Sequence, residues 1–224
     1  MVEIESYLTS LTEALKLEFG ARLCYVGLQG SYLRGEATEH SDIDVMVLLD
    51  NLSPNDLLRY RALLEQTAEP ENACGFICGR AEMAHWNPLE ICHLLHTTRD
   101  CFGALRDFVP PYTRADTLND IKLSLGNLYH ALCHTRIHAP QQALRQTLPE
   151  LYKQTFFILQ NLHFLRTGDF CGTKKELLDH LSGEDRAVLQ WEMDHRGRDD
   201  WALDGTFELL FNWCQNTLNH LTEF

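Results

Sequence analysis

The sequence predicts an α+β protein whose strands are confined to its first half. Three observations predict this. Residues 23–28, 43–49 and 74–78 are short apolar runs, the second rich in β-branched residues, as buried strands are. After residue 111 such runs stop, and residues 115–137, 142–167, 173–181, 184–195 and 202–222 favour helix. Between the two regimes lies a Gly- and Pro-containing break at 102–111, which sets the expected domains as 1–110 and 111–224.

Taken in order, residues 3–19 predict a helix, because Ile4, Leu8, Leu11 and Leu15 recur near the helical period. Gly20 is its expected stop. After the first strand, Gly30 and Ser31 turn the chain and Tyr32, Leu33 and Arg34 begin a short helical turn. Residues 36–41 are polar and loop-like. After the second strand, Ser53 is the expected N-cap and Pro54 the first-turn proline of a helix reaching about residue 68. Gly79 closes the third strand, and a helix over 88–98 starts at Pro88. The second half reads as a helical bundle.

Composition excludes some functions. The 224 residues suit one large domain or two small ones, and 45% hydrophobic and 10% aromatic content are ordinary for a packed protein. The net charge is −13, with −9 in residues 1–110 and −4 in the remainder. Apart from Lys174 and Lys175 no basic cluster appears, which argues against a long nucleic-acid substrate. The acidic balance either steers a cationic partner or only confers solubility. No run of 18 apolar residues suggests a membrane span, and the N-terminus lacks signal-peptide features, so a cytoplasmic location is expected. The eight cysteines include no CxxC pair and are expected to be reduced core residues. The spacing of Cys74, Cys78, His85 and His93 matches no standard zinc finger.

The stretch that carries chemistry is 28–50, LQGSYLRGEATEHSDIDVMVLLD. Side chains at i and i+2 of a strand share a face, so Asp42 and Asp44 can grip a hard cation such as Mg2+ together. Gly30 removes a Cβ and lets a phosphate approach the backbone. Ser31 offers a hydroxyl and an N–H, and the following turn aims further N–H groups at the same anion. Arg34 has two possible roles, a nucleotide contact or an ion pair with a loop acid.

This pattern resembles the GS…DxD signature of the polymerase-β-type nucleotidyltransferase superfamily, carried here by Gly30, Ser31, Arg34, Gly35, Ser41, Asp42 and Asp44. It is closest to the minimal and antibiotic-modifying branches, and resembles single-chain aminoglycoside nucleotidyltransferases of the streptomycin/spectinomycin or kanamycin type. The resemblance implies a small mixed sheet flanked by helices, followed by a helical bundle that helps to bind the acceptor. It implies transfer of a nucleoside monophosphate, AMP from ATP, to an acceptor hydroxyl, with Mg2+ and release of pyrophosphate. It also makes Gly30, Ser31, Arg34 and Ser41 nucleotide-binding residues. A second segment, FLRTGDFCGTKKELLDHL, resembles the place where the family sets a triphosphate-contacting lysine, which here is Lys174.

Lys153 is either a snorkelling lysine or a second phosphate contact. The family also sets a third acid on a later strand facing the aspartate pair, and residues 74–78 contain none. Glu82, just past that strand, is the first choice for this catalytic role, ahead of Glu90 and Glu150. The acidic balance agrees with an aminoglycoside-like small-molecule acceptor. The alternatives are a protein or tRNA acceptor, as in toxin–antitoxin nucleotidyltransferases, or a non-catalytic nucleotide-binding regulator.

Overall fold

The computed structural model describes residues 2–195, 197–198 and 200–221. It divides into two compact units, Met1–Tyr112 and Thr113–Phe224.

In the first unit, helix α1 (Ile4–Phe19) starts where the Glu3 carboxylate accepts from Ser6 N–H and stops at Gly20, whose φ is +57°. Strand β1 (Leu23–Leu28), helix α2 (Gly30–Arg34), strand β2 (Ile43–Leu49) and helix α3 (Pro54–Leu64) follow. A capping box between Ser53 and Asp56 opens α3. The helix ends at Leu64, short of the expected residue 68. Strand β3 (Ala73–Gly79) leads into α4 (Arg80–Ala84), α5 (Pro88–His96) and strand β4 (Arg99–Phe102). Neither α4 nor β4 was legible in the sequence. β4 has four largely exposed residues at a sheet edge, so it carries no hydrophobic alternation.

The four strands form one mixed sheet in the order β3-β2-β1-β4. β2 runs parallel to β3 and antiparallel to β1, and β4 pairs antiparallel with the outer side of β1. Helices cover both faces, which is why β2 is one continuous apolar run. Ile43, Val45, Val47 and Leu49 pack with Leu8, Leu11 and Leu15 of α1. Met46 and Leu48 point to the other face and pack with Tyr25, Cys78, Met83 and Leu105. Asp42 and Asp44 continue this second face toward the start of β2, where the cover ends.

The second unit consists of helices α6 (Arg114–His138), α7 (Gln141–Thr167), α8 (Lys174–His180), α9 (Gly183–His195) and α10 (Leu203–His220). The expected last helix extended to residue 222, and its final residue lies outside the described residues. A Thr113–Asp116 capping box opens α6, and Gly168, at φ +82°, ends α7. α7 is the central helix, buried on several sides by Leu148, Tyr152, Phe156, Leu159 and Leu162. Two of its buried polar side chains tie it to its neighbours: Tyr152 donates its hydroxyl to Thr206 O and Gln160 donates its amide N–H to Cys171 O.

Candidate active site

β1 and β2 build the site between them. Gln29 N–H donates to Asp44 O at 2.8 Å, extending the ladder by one bond past Leu28. That bond brings Gly30, at φ +69°, over the Asp44 side chain. A Cβ at Gly30 would overlap Asp44 Oδ2 and come within 2.8 Å of its Cγ. The glycine is therefore required twice, by its left-handed backbone and by the carboxylate lodged against it.

Asp42 is exposed just before β2, and Asp44 is half-buried in the strand. Burial raises the Asp44 carboxyl above its ordinary value. A hydrogen bond with Cys74 lowers it, the like charge of Asp42 raises it again, and the Arg34 charge lowers it. The two carboxylates thus feel each other's charge. Among the described residues, no three His, Cys, Asp or Glu side chains form a metal cage. Two hard oxygen donors fit Mg2+, which keeps waters and phosphate oxygens for its other positions.

Arg34 ends α2, and its Nε donates to Glu36 Oε2 at 3.0 Å. The ion pair with a loop acid, one of the two roles open from sequence, is thus formed. Ser31 lies in the first turn of α2, and its carbonyl accepts from Glu36 N–H at 2.9 Å. Ser41, in the loop before Asp42, accepts from Thr38 N–H through its hydroxyl at 2.9 Å.

Glu82 is a correction. β3 is parallel to β2, with Cys74 opposite Asp44 and Gly79 opposite Leu49. Glu82 packs its carboxylate against Gly79 on α4. It therefore stands at the far end of the sheet from Asp44, about 17 Å along the strand at ~3.3 Å per residue. The residue that faces Asp44 is Cys74, which sequence reasoning missed. Burial raises the Cys74 thiol, as do the charges of Asp44 and Asp42. Cys74 and Cys101 are exposed, contrary to the expectation that all cysteines are core residues, while Cys78, Cys92, Cys171 and Cys214 are buried. Glu90 accepts from Trp86 Nε1.

In the second unit, Lys153 pairs with Glu150 on the exposed side of α7, at 2.7 Å. Lys174, the first residue of α8, pairs with Glu192 of α9 at 2.5 Å, with both side chains largely shielded from solvent.

The sequence profile of the nucleotidyltransferase domain matches residues 12–72, the span from α1 through β2 to the loop before β3. The matched span holds Gly30, Asp42 and Asp44, so the segment built around this site is similar to a nucleotidyltransferase domain. Over 63 residues, this chain is 43% identical to the protein adenylyltransferase MntA of Thermococcus cleftensis, covering 28% of this chain and 60% of that protein. The chain thus spans less than two thirds of that relative's length. Spectinomycin adenyltransferase AAD(9) from Enterococcus faecialis, solved with ATP and spectinomycin, superposes with a TM-score of 0.59. That match covers 96% of this chain and 99% of AAD(9) at 13% identity, a likeness of fold. No described helix is long and apolar enough to cross a membrane.

Proposed function

We propose that this chain transfers AMP from ATP to a hydroxyl of a small-molecule acceptor and releases pyrophosphate. The observation that carries the reading is the Asp42–Asp44 pair, with Asp44 lodged against a glycine that leaves the adjoining backbone open to a phosphate. Asp42 and Asp44 would hold Mg2+, which when bound neutralises phosphate charge as it develops. Ser31 presents its hydroxyl and N–H to a phosphate oxygen, and Gly30 permits the close approach. Arg34 and Ser41 shape the loop that presents the aspartates. Positioning and electrostatics would then supply most of the rate. Burial raises the thiol of Cys74, the residue facing Asp44, which disfavours it as a base. Removal of the acceptor proton falls to the acceptor's own groups or to solvent.

The likeness to AAD(9) along almost the whole chain supports a small-molecule acceptor. A protein acceptor is the second reading, favoured by the 43% identity to a protein adenylyltransferase. The test is pyrophosphate release from ATP and Mg2+ by Asp42→Asn and Asp44→Asn. Each should fall at least ~100-fold, the scale of lost electrostatic groups in active sites. Unchanged release would end the assignment. Labelled ATP in a cell lysate separates the two readings, because label on a protein contradicts a small-molecule acceptor.

A further inference from the structure

Within the helical unit, a cavity of about 680 Å³ opens between the first half of α7 and the end of α9. Arg145, Glu150 and Lys153 of α7 line one side at helical spacing. Trp191, Glu192 and the following Arg198 line the other.

Two observations make this more than a surface hollow. The first is Glu192. Its residue is 3% exposed, one carboxylate oxygen is held by Lys174, and the other, Oε2, is buried with no hydrogen-bond partner. A buried carboxylate oxygen left without a donor is costly, and such groups normally have one. An ionised carboxylate can only accept, so what completes it must bring an O–H or N–H.

The second observation is charge. Among the described lining residues Arg145, Lys153 and Arg198 outweigh Glu150 and Glu192, and Lys174 neutralises Glu192 besides. The chain as a whole carries −13. A locally cationic cavity in so acidic a chain repels a polycationic molecule and attracts an anion, and arginine forks suit phosphate and carboxylate.

We propose that this cavity between α7 and α9 binds an anionic, hydroxyl-bearing small molecule. Its hydroxyl donates to Glu192 Oε2 and its phosphate or carboxylate meets Arg145, Lys153 and Arg198. If the chain is a nucleotidyltransferase with a small-molecule acceptor, this names the acceptor's class, and it is not the aminoglycoside-like one that net charge alone suggested.

The test is binding to the full chain by calorimetry without ATP, so it does not depend on the transfer reaction. The probes are glucose 6-phosphate, gluconate, glucose, inorganic phosphate and spectinomycin. Glucose 6-phosphate or gluconate should bind at least 10-fold tighter than glucose or phosphate alone. Glu192→Gln and Arg198→Gln should each weaken that binding at least 10-fold, and spectinomycin should bind no better than glucose. Gln146→Trp fills the cavity from an exposed position on α7 and leaves the ion pair intact. It should abolish binding, which keeps the test open if Glu192→Gln fails to fold. The proposal is overturned if neither anionic polyol binds tighter than its parts, if the variants leave binding unchanged, or if spectinomycin binds tightest. A negative binding result alongside intact sensitivity of pyrophosphate release to Asp44→Asn would remove this site and leave the nucleotidyl transfer reading standing.

Discussion

Replacing Gly30 by alanine separates the two demands that the site makes on this position. The backbone sits at φ +69°, where a Cβ costs about 1–2 kcal/mol. The new methyl would also lie 2.8 Å from Asp44 Cγ, against an ordinary carbon–carbon contact of about 3.5–4.0 Å. The Asp44 carboxylate must therefore retreat by about 1 Å, a displacement that can cost ~100-fold in rate when the group is catalytic. Gly20→Ala is the control. Gly20 has φ +57° with ψ −132° and nothing within 4 Å of the added Cβ, so alanine there meets a backbone strain of its own without the collision. Thermal denaturation should show both variants destabilised, by roughly 4–8 °C for each kcal/mol in a unit of this size. Pyrophosphate release should fall about 100-fold or more only in Gly30→Ala. If Gly30→Ala kept wild-type turnover while losing as much stability as Gly20→Ala, the position of Asp44 would not matter to the chemistry.

Three further outcomes follow from the same geometry. Cys74→Asp installs a carboxylate opposite Asp44, and should raise steady-state pyrophosphate release by about 10-fold or more if a facing acid is what the site lacks; an unchanged or lower rate refutes this. Asp56 is held well below the ordinary carboxylate range by the Arg22 guanidinium and then by the Ser53 hydroxyl. Its folded pKa is depressed, so its stabilisation is present above the unfolded value of about 3.9 and is lost as pH falls below it. Melting temperatures measured across that range should fall in the wild type and change less in Asp56→Asn. His163 is lowered by burial and then by the neighbouring His180 charge. The unfolded chain therefore takes up that proton first, and stability should drop as pH falls from about 6.5 toward the folded pKa. His163→Gln should flatten that slope in thermal scans, and an unaltered slope would assign it to another group.

Much of the fold was legible because its signals are local. β1 and β2 begin and end where the apolar runs do. The helices of the second unit lie within a residue or two of their expected bounds, because periodicity and caps such as Thr113 and Gly168 act within a few residues. β4 and α4 were not legible, since a four-residue edge strand and a one-turn helix carry too few residues for a period to show. Gly30, Asp42 and Asp44 were grouped for the same local reason: they lie within one turn-and-strand segment, and the structure sets Gly30 against the Asp44 side chain.

What the sequence by itself determined was the aspartate pair, its glycine turn and the α+β order of elements, all set by neighbours close along the chain. What only the tertiary structure decided was which residue stands opposite Asp44 and which groups gather around Glu192. Parallel pairing of β2 with β3 sets Cys74 against Asp44 and carries Glu82 to the far end of the sheet. The packing of α8 on α9 joins Lys174 to Glu192 across 18 residues of chain. Such contacts depend on strand register and helix packing, which no local pattern encodes.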